Sequence, residues 1–359
     1  MISILNNQAE NEKFYSLVSF HSVYRSPWEI MTEEVLGYLD HNILDSIRKG
    51  DPFDIRELLD KKQITPIYSK ENLKEIKRSV GSENEFLSIL KELGAKYIEP
   101  IYENNLPTGK AQINDSDAFF VWNWFIENEE PMPEYGYGLS SMLEKFYGGR
   151  RDETYAEIFS KGDAELKKIM DDAIEELDSN EYFTDEMKEA INALPEMLAV
   201  QHQYISEKMD ILEQSPVKEF ENATGLGAKV LKNINPPQVV QKVFEAVQNS
   251  MIGVELDIDI FFSVKYQPFE ANSDRKKTLS EKVNGLYHQL NFLGYYRDTD
   301  MKNTRGFVRS SSDMTHAGIA SFCHLLLCRD EGLVKKAAAA YEYAGVRTQI
   351  LHFQANNTP

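Results

Sequence analysis

Cysteine is nearly missing from this 359-residue chain, which holds only Cys323 and Cys328. Two thiols cannot build a secreted disulfide framework, and their spacing matches no zinc or redox signature. Long apolar runs are missing too. No stretch approaches the roughly 18 consecutive apolar residues of a membrane helix, so no membrane partner is expected. Residues 1–13 are polar apart from Ile2, Ile4 and Leu5, and lack the hydrophobic segment of a signal peptide. Neither an internal repeat nor a low-complexity tract occurs. These absences lead to the expectation of a reduced, cytoplasmic protein. What is present suits a globular chain: 42% of residues are hydrophobic, and the length allows two units.

Basic residues are in deficit, giving a net charge of −19. That balance opposes binding of nucleic acid, which is held mainly by neutralising phosphates. The deficit is local, however. Of 58 acidic and 39 basic residues, 25 and 9 fall within residues 127–222, leaving 33 and 30 elsewhere. The acidic segment carries −16 and the remainder only −3. Such a surface repels polyanions and favours basic protein partners or assembly, unless it is simply a solvated helical face.

Strands and helices alternate at both ends of the sequence. Val35-Leu36-Gly37-Tyr38-Leu39 is an apolar run that predicts a buried strand ending at Asp40. Helices follow at residues 43–49 and from Asp54, then a strand at residues 64–68 whose Pro66 implies an edge or an end. Ser69 caps a helix carrying Leu73, Ile76 and Val80, residues 82–93 form another, and residues 96–101 suit a third strand. The alternation returns with a helix starting at residues 311–313, a strand at 324–328, a helix at 333–344 and a strand at 346–351. Between them, residues 104–149 read as irregular, and residues 153–178 and 184–213 as long amphipathic helices. The pattern predicts an α/β fold with an N-terminal extension (1–34), a first half (35–101), an acidic, mostly helical insertion (102–278), a second half (279–353) and a tail (354–359).

The chemistry-bearing residues are carboxylates. Asp40 and Asp330 each follow a strand, where ligand sites of open α/β sheets lie. Asp313 is expected at a helix start, stabilised by the macrodipole. Glu75 lies within the helix after the second strand. Acids converging on one crevice would raise each other's pKa unless a divalent cation neutralised them, and hard oxygen ligands select Mg²⁺ or Mn²⁺. Taken singly, each has a plainer role as a turn, cap or solvated residue. Asp-x-Asp chemistry of phosphatases is excluded because Asn42 stands at the second position. Gly225-Leu226-Gly227 lacks the spacing of a phosphate loop.

The run from Ser312 to Ala337, with Asp313-Met314-Thr315-His316, small residues, Leu325-Leu326-Leu327-Cys328 and Arg329-Asp330, resembles the end of PIN-domain nucleases. Tyr38-Leu39-Asp40-His41-Asn42 resembles the family's opening strand, and residues 68–76 its helix with the second acid. About 140 of the 359 residues are covered. The resemblance implies a PIN-like parallel sheet flanked by helices, interrupted by the helical insertion. It implies a Mg²⁺- or Mn²⁺-dependent endonuclease with metal ligands Asp40, Glu75, Asp313 and Asp330, Glu75 being preferred over Glu71, and with Asn42 behind them orienting the ligands. RNA is favoured over DNA as substrate, and the implied role is a toxin-like or defence effector, restrained by its acidic segment or by a regulatory protein. His316 is read either as a phosphate contact or as a packed histidine. Arg305, Arg309 and Arg329, with Lys302, are read either as phosphate contacts or as surface charge. The competing reading is a non-catalytic module whose acidic helices bind a protein.

Overall fold

The computed structural model describes residues 15–18, 34–128, 136–177, 183–251, 255–266 and 274–354. Most of the expected extension and the tail beyond Gln354 lie outside the described residues. Seven strands, β1 (Tyr15–Val18), β2 (Val35–Leu39), β3 (Ile64–Ser69), β4 (Lys96–Glu103), β5 (Leu106–Asn114), β6 (Leu325–Cys328) and β7 (Gln349–Phe353), form one sheet in the order β1-β7-β6-β2-β3-β4-β5. The five from β7 to β4 are parallel, whereas β1 and β5 join antiparallel at the edges. The protein is therefore α/β with a mostly parallel sheet flanked by helices.

The chain divides into two compact units. The first holds the sheet with α1 (His41–Arg48), α2 (Ile55–Lys61), α3 (Lys70–Arg78), α4 (Glu83–Glu92) and α5 (Ala118–Asn128). The second comprises residues 129–225 and 298–310, with α6 (Gly136–Phe146), α7 (Tyr155–Leu177), α8 (Asp185–Met209) and α9 (Pro216–Thr224). The first unit resumes with α10 (Ala228–Leu231), α11 (Val239–Ser250), α12 (Ile258–Phe261), α13 (Leu279–Leu293), the later part of α14 (Thr304–Ala320) and α15 (Glu331–Ala344).

Three expectations change here. Residues 104–128 and 136–146 are not irregular. Asn104 and Asn105 both take positive φ, 50° and 60°, and Glu103 pairs with Leu106. That is the geometry of a two-residue type I′ hairpin, which the right-handed strand twist favours. It adds β5 to the sheet, so residues 102–128 and 226–278 belong to the sheet unit and the second unit is narrower than the expected insertion. Pro66 lies in β3, which is interior to the sheet and not an edge. Pairing with β4 begins at Ile67, so Pro66 stands ahead of that ladder and its missing N–H costs no bond there. Finally, the last strand begins at Gln349, later than the sequence pattern suggests.

Alternation along the strands supplies both faces of the core. Leu39, Tyr68, Leu325, Leu327 and Phe353 pack with Ile43, Leu44, Leu73, Leu87 and Phe125 from the helices. On the opposite face, the Tyr341 hydroxyl of α15 donates to the Ala317 carbonyl of α14 at 2.7 Å. Gly318 lets α14 approach α13 closely, since a Cβ there would overlap the Asn284 side chain. Beneath this layer Lys336 is fully buried. Its Nζ donates to Asn291 Oδ1 and the Tyr296 carbonyl, each at 3.0 Å, and lies 4.7 Å from the centre of the Tyr287 ring. Lys336→Ala is expected to destabilise the protein by about 2–4 kcal/mol, through lost packing and acceptors stripped of this donor. Urea unfolding measures it, and a change below about 0.5 kcal/mol would contradict the packing described.

Candidate metal centre

Asp40 follows β2 directly, and its backbone N–H donates to the Leu327 carbonyl of β6 at 3.0 Å. The residue is thus held where two central parallel strands end. It precedes α1, yet its side chain makes no capping bond. The plainer explanation for an Asp at this position, that it caps the helix, does not apply. Asn42 Nδ2 instead donates to Asp40 Oδ2 at 3.1 Å.

Glu75 comes from α3, whose start is fixed by a capping box. Ser69 Oγ accepts from the Glu71 N–H, and Asn72 Oδ1 accepts from the Ser69 N–H. Asn72 Nδ2 also donates to the Leu39 carbonyl at 2.8 Å, tying α3 to the end of β2. One turn further along, Glu75 Oε2 lies 2.9 Å from His316 Nε2. The other ring nitrogen of His316 is 2.7 Å from the Tyr38 hydroxyl, which in turn meets Ser69 Oγ at 2.7 Å and donates to Asn72 Oδ1 at 3.2 Å. A ring protonated on both nitrogens satisfies this chain: one N–H donates to Glu75 and the other to Tyr38.

Asp40, Glu75 and His316 each offer one ligand atom, all within 4.8 Å of one another. His316 Nε2 is 4.0 Å from Asp40 Oδ1. Small side-chain adjustments would bring three such atoms to bonds of about 2.1 Å around one ion, so the donor set fits a divalent cation.

The electrostatics describe the cluster without an ion, in which a proton on His316 Nε2 stands where a cation would bind. Burial pushes the Asp40 carboxyl up to about 6, helped by Glu75 and Asp330 and opposed by His316 and Asn42. Burial also acts upward on Glu75, but the charge and hydrogen bond of His316 outweigh it and hold Glu75 below its ordinary value. Desolvation opposes the charge on His316, yet Glu75 and Asp40 raise it to about 9. At neutral pH the imidazolium supplies positive charge between two carboxylates. Cys328 registers the other acids: burial drives its thiol well up, with added push from Asp40, Asp330 and Asp313.

The expected residues fare differently. Asp313 is buried but does not start a helix. The Asn303 side chain accepts from the Gly306 N–H at 2.9 Å and α14 begins at Thr304, so Asp313 sits mid-helix without the macrodipole's help. No helix breaker separates residues 304–312 from the rest, which is why the helix extends upstream. Asp330 is exposed and caps α15, accepting from the Leu333 N–H at 2.8 Å. Glu71 is engaged elsewhere, accepting from Ser312 Oγ at 2.6 Å and pairing with Lys74. Arg329 Nη1 donates to Ser46 Oγ at 2.8 Å and its guanidinium covers the Phe53 ring. Arg309 is spent on the Thr299 carbonyl and hydroxyl. Lys302, Arg305 and Arg309 fall in the second unit and Arg329 in the first.

Sequence reasoning missed two participants, His41 and Arg78, and left His316 between two readings. His316 belongs to the cluster itself and is fully buried, so it does not reach solvent as a phosphate contact. His41 opens α1 and lies 3.9 Å from Glu75 Oε2, with desolvation lowering its pKa. Arg78 donates to Ser312 Oγ at 2.8 Å and lies 3.5 Å from Glu75; its position one turn after Glu75 on α3 was the available signal. Compared with known proteins, the chain matches no family model, no curated protein and no solved structure.

Proposed function

We propose that this protein is a metal-dependent endonuclease of PIN-like type, acting on RNA in preference to DNA. The observation that carries the reading is the convergence of Asp40, Glu75 and His316 from three separate elements at the carboxyl end of a parallel sheet. Asp313 and Asp330 complete the proposed acid set, and Arg78 supplies a cation beside it for a substrate phosphate. A bound divalent cation would acidify a water and offset charge on the leaving oxygen. The chain's own groups prepare the place: Asn42 fixes the Asp40 carboxylate, Tyr38 orients the His316 ring, and Arg78 holds Glu75. An imidazole beside two carboxylates favours Mn²⁺ over Mg²⁺, which prefers oxygen ligands alone. The acidic second unit is proposed to restrain RNA entry, consistent with a toxin-like or defence effector working in the cytoplasm.

Cleavage of single-stranded RNA and DNA by wild type and Asp313→Asn, with Mn²⁺, Mg²⁺ or EDTA, tests this. RNA cleavage in Mn²⁺ is expected, with a loss of about 100-fold or more in the variant and none remaining in EDTA. Cleavage that survives both the substitution and the chelator sinks the metal centre.

One observation favours the competing reading, a non-catalytic module that binds a protein. Met187, Leu194, Met197 and Tyr204 lie exposed along α8, close to one stripe at helical spacing. Absence of any metal-stimulated cleavage would leave this reading in place.

A further inference from the structure

The second unit contains a polar cavity of about 490 Å³, between the turn that joins α6 to α7 and the turn that joins α8 to α9. Its size falls within the range of small-ligand sites, and is far larger than one phosphate group needs. Lys145, Arg151 and Lys218 line it. Residues 127–222 hold only 9 basic residues against 25 acidic ones, so three of those nine at one cavity is a marked concentration.

The acids at the cavity leave this positive character standing. Asp210 lines it, but its two carboxylate oxygens accept from the Tyr155 and Ala156 N–H groups at 2.7 and 3.2 Å, capping α7. Glu213 is the one other carboxylate in the lining. Lys218 also contacts Glu221 at 3.2 Å, and Lys145 reaches the Arg150 carbonyl at 3.4 Å. Arg151 spends only Nε, weakly, on the Gly148 carbonyl at 3.5 Å. Ser215 and Lys218 belong to the first turn of α9, whose dipole adds positive potential.

Met209 and Leu212 give the same cavity an apolar wall, and the Tyr155 ring adds to it. Cations on one side and an apolar wall on the other match a ligand with a phosphate at one end and a flat, partly apolar body at the other. We propose that this cavity binds a mononucleotide, its phosphate held by Arg151 and Lys218.

Isothermal titration of the full chain with AMP, ADP, ATP, adenosine and pyrophosphate tests this, in EDTA to silence the metal centre. Saturable binding of at least one nucleotide is expected, with adenosine at least ten-fold weaker. Arg151→Ala and Lys218→Ala should each weaken it ten-fold or more. Absence of saturable heat from every nucleotide at millimolar concentration overturns the proposal. So does binding that both substitutions leave intact, or that Asp40→Asn abolishes while they do not. Pyrophosphate binding as tightly as the nucleotides would overturn the nucleoside part of the assignment.

Discussion

Asp40→Asn is expected to lower the RNA cleavage rate in Mn²⁺ by about 1,000-fold, as loss of a central charged group in a preorganised site does, while leaving the protein as stable or more stable in EDTA. The two effects have opposite signs for one reason. Asp40 is fully enclosed, and its carboxyl is pushed from an ordinary 3.8 up to about 6, mainly by burial. The folded protein therefore binds a proton there more tightly than the unfolded chain does. Below pH 4 this costs nothing; as pH rises through 6 the penalty grows to about 3 kcal/mol and stays. Asparagine keeps the shape and removes the buried charge. A helix-capping role would give the reverse result, lower stability and unchanged chemistry, but the side chain makes no capping bond. Cleavage assays beside urea unfolding at pH 7.5 separate the two, and a variant that is unstable yet active would refute the site.

His316→Ala is expected to destabilise the protein by about 3–5 kcal/mol at pH 7 in EDTA. Breaking a buried ion pair from one side strands the other charge, and among the described residues Glu75 is then left with the longer contacts to Arg78 at 3.5 Å and His41 at 3.9 Å. Tyr38 also loses its partner on the ring. The pair predicts a pH dependence as well. His316 is raised from 6.5 to about 9, so its contribution is full below pH 6.5 and is lost as pH climbs through 9. Unfolding free energies at pH 7 and pH 9.5 should differ in wild type by on the order of 2–3 kcal/mol, and much less in His316→Gln. A wild-type curve flat across this interval would show that the ring is neutral in the folded protein. Glu75→Gln combined with His316→Ala should cost less than the sum of the two single changes, since neither partner is then stranded.

Local pattern made some of this legible. The apolar runs of β2 and β6, each followed by an Asp, are short-range features, and so is the Ser69 cap that places Glu75 on α3. The α/β alternation follows from the same runs. What escaped depends on distance or on competition between signals. His316 joins Glu75 across 241 residues, and nothing in a helical Asp-Met-Thr-His run says which neighbour its ring will meet. Asp313 was misplaced because a Ser-Ser-Asp start signal is locally persuasive, while Asn303 begins the helix earlier. β5, Leu-Pro-Thr-Gly-Lys-Ala-Gln-Ile-Asn, has little strand character of its own; β4 and the Asn104-Asn105 turn impose it. Even there a signal existed, since paired Asn residues tolerate the left-handed conformations that a tight hairpin demands.

The sheet order also sets a timetable for synthesis. β6 is among the last strands to be made, yet it lies beside β2, one of the first, and supplies the carbonyl that accepts from the Asp40 N–H. His316 arrives just before it on α14. A ribosome-bound chain that still holds these segments in the exit tunnel has Asp40 and Glu75 but neither the ring between them nor the strand that seats them. The cluster can close only after nearly all of these residues have emerged, so a partly translated product carries no assembled centre near the messenger and ribosomal RNA that surround it.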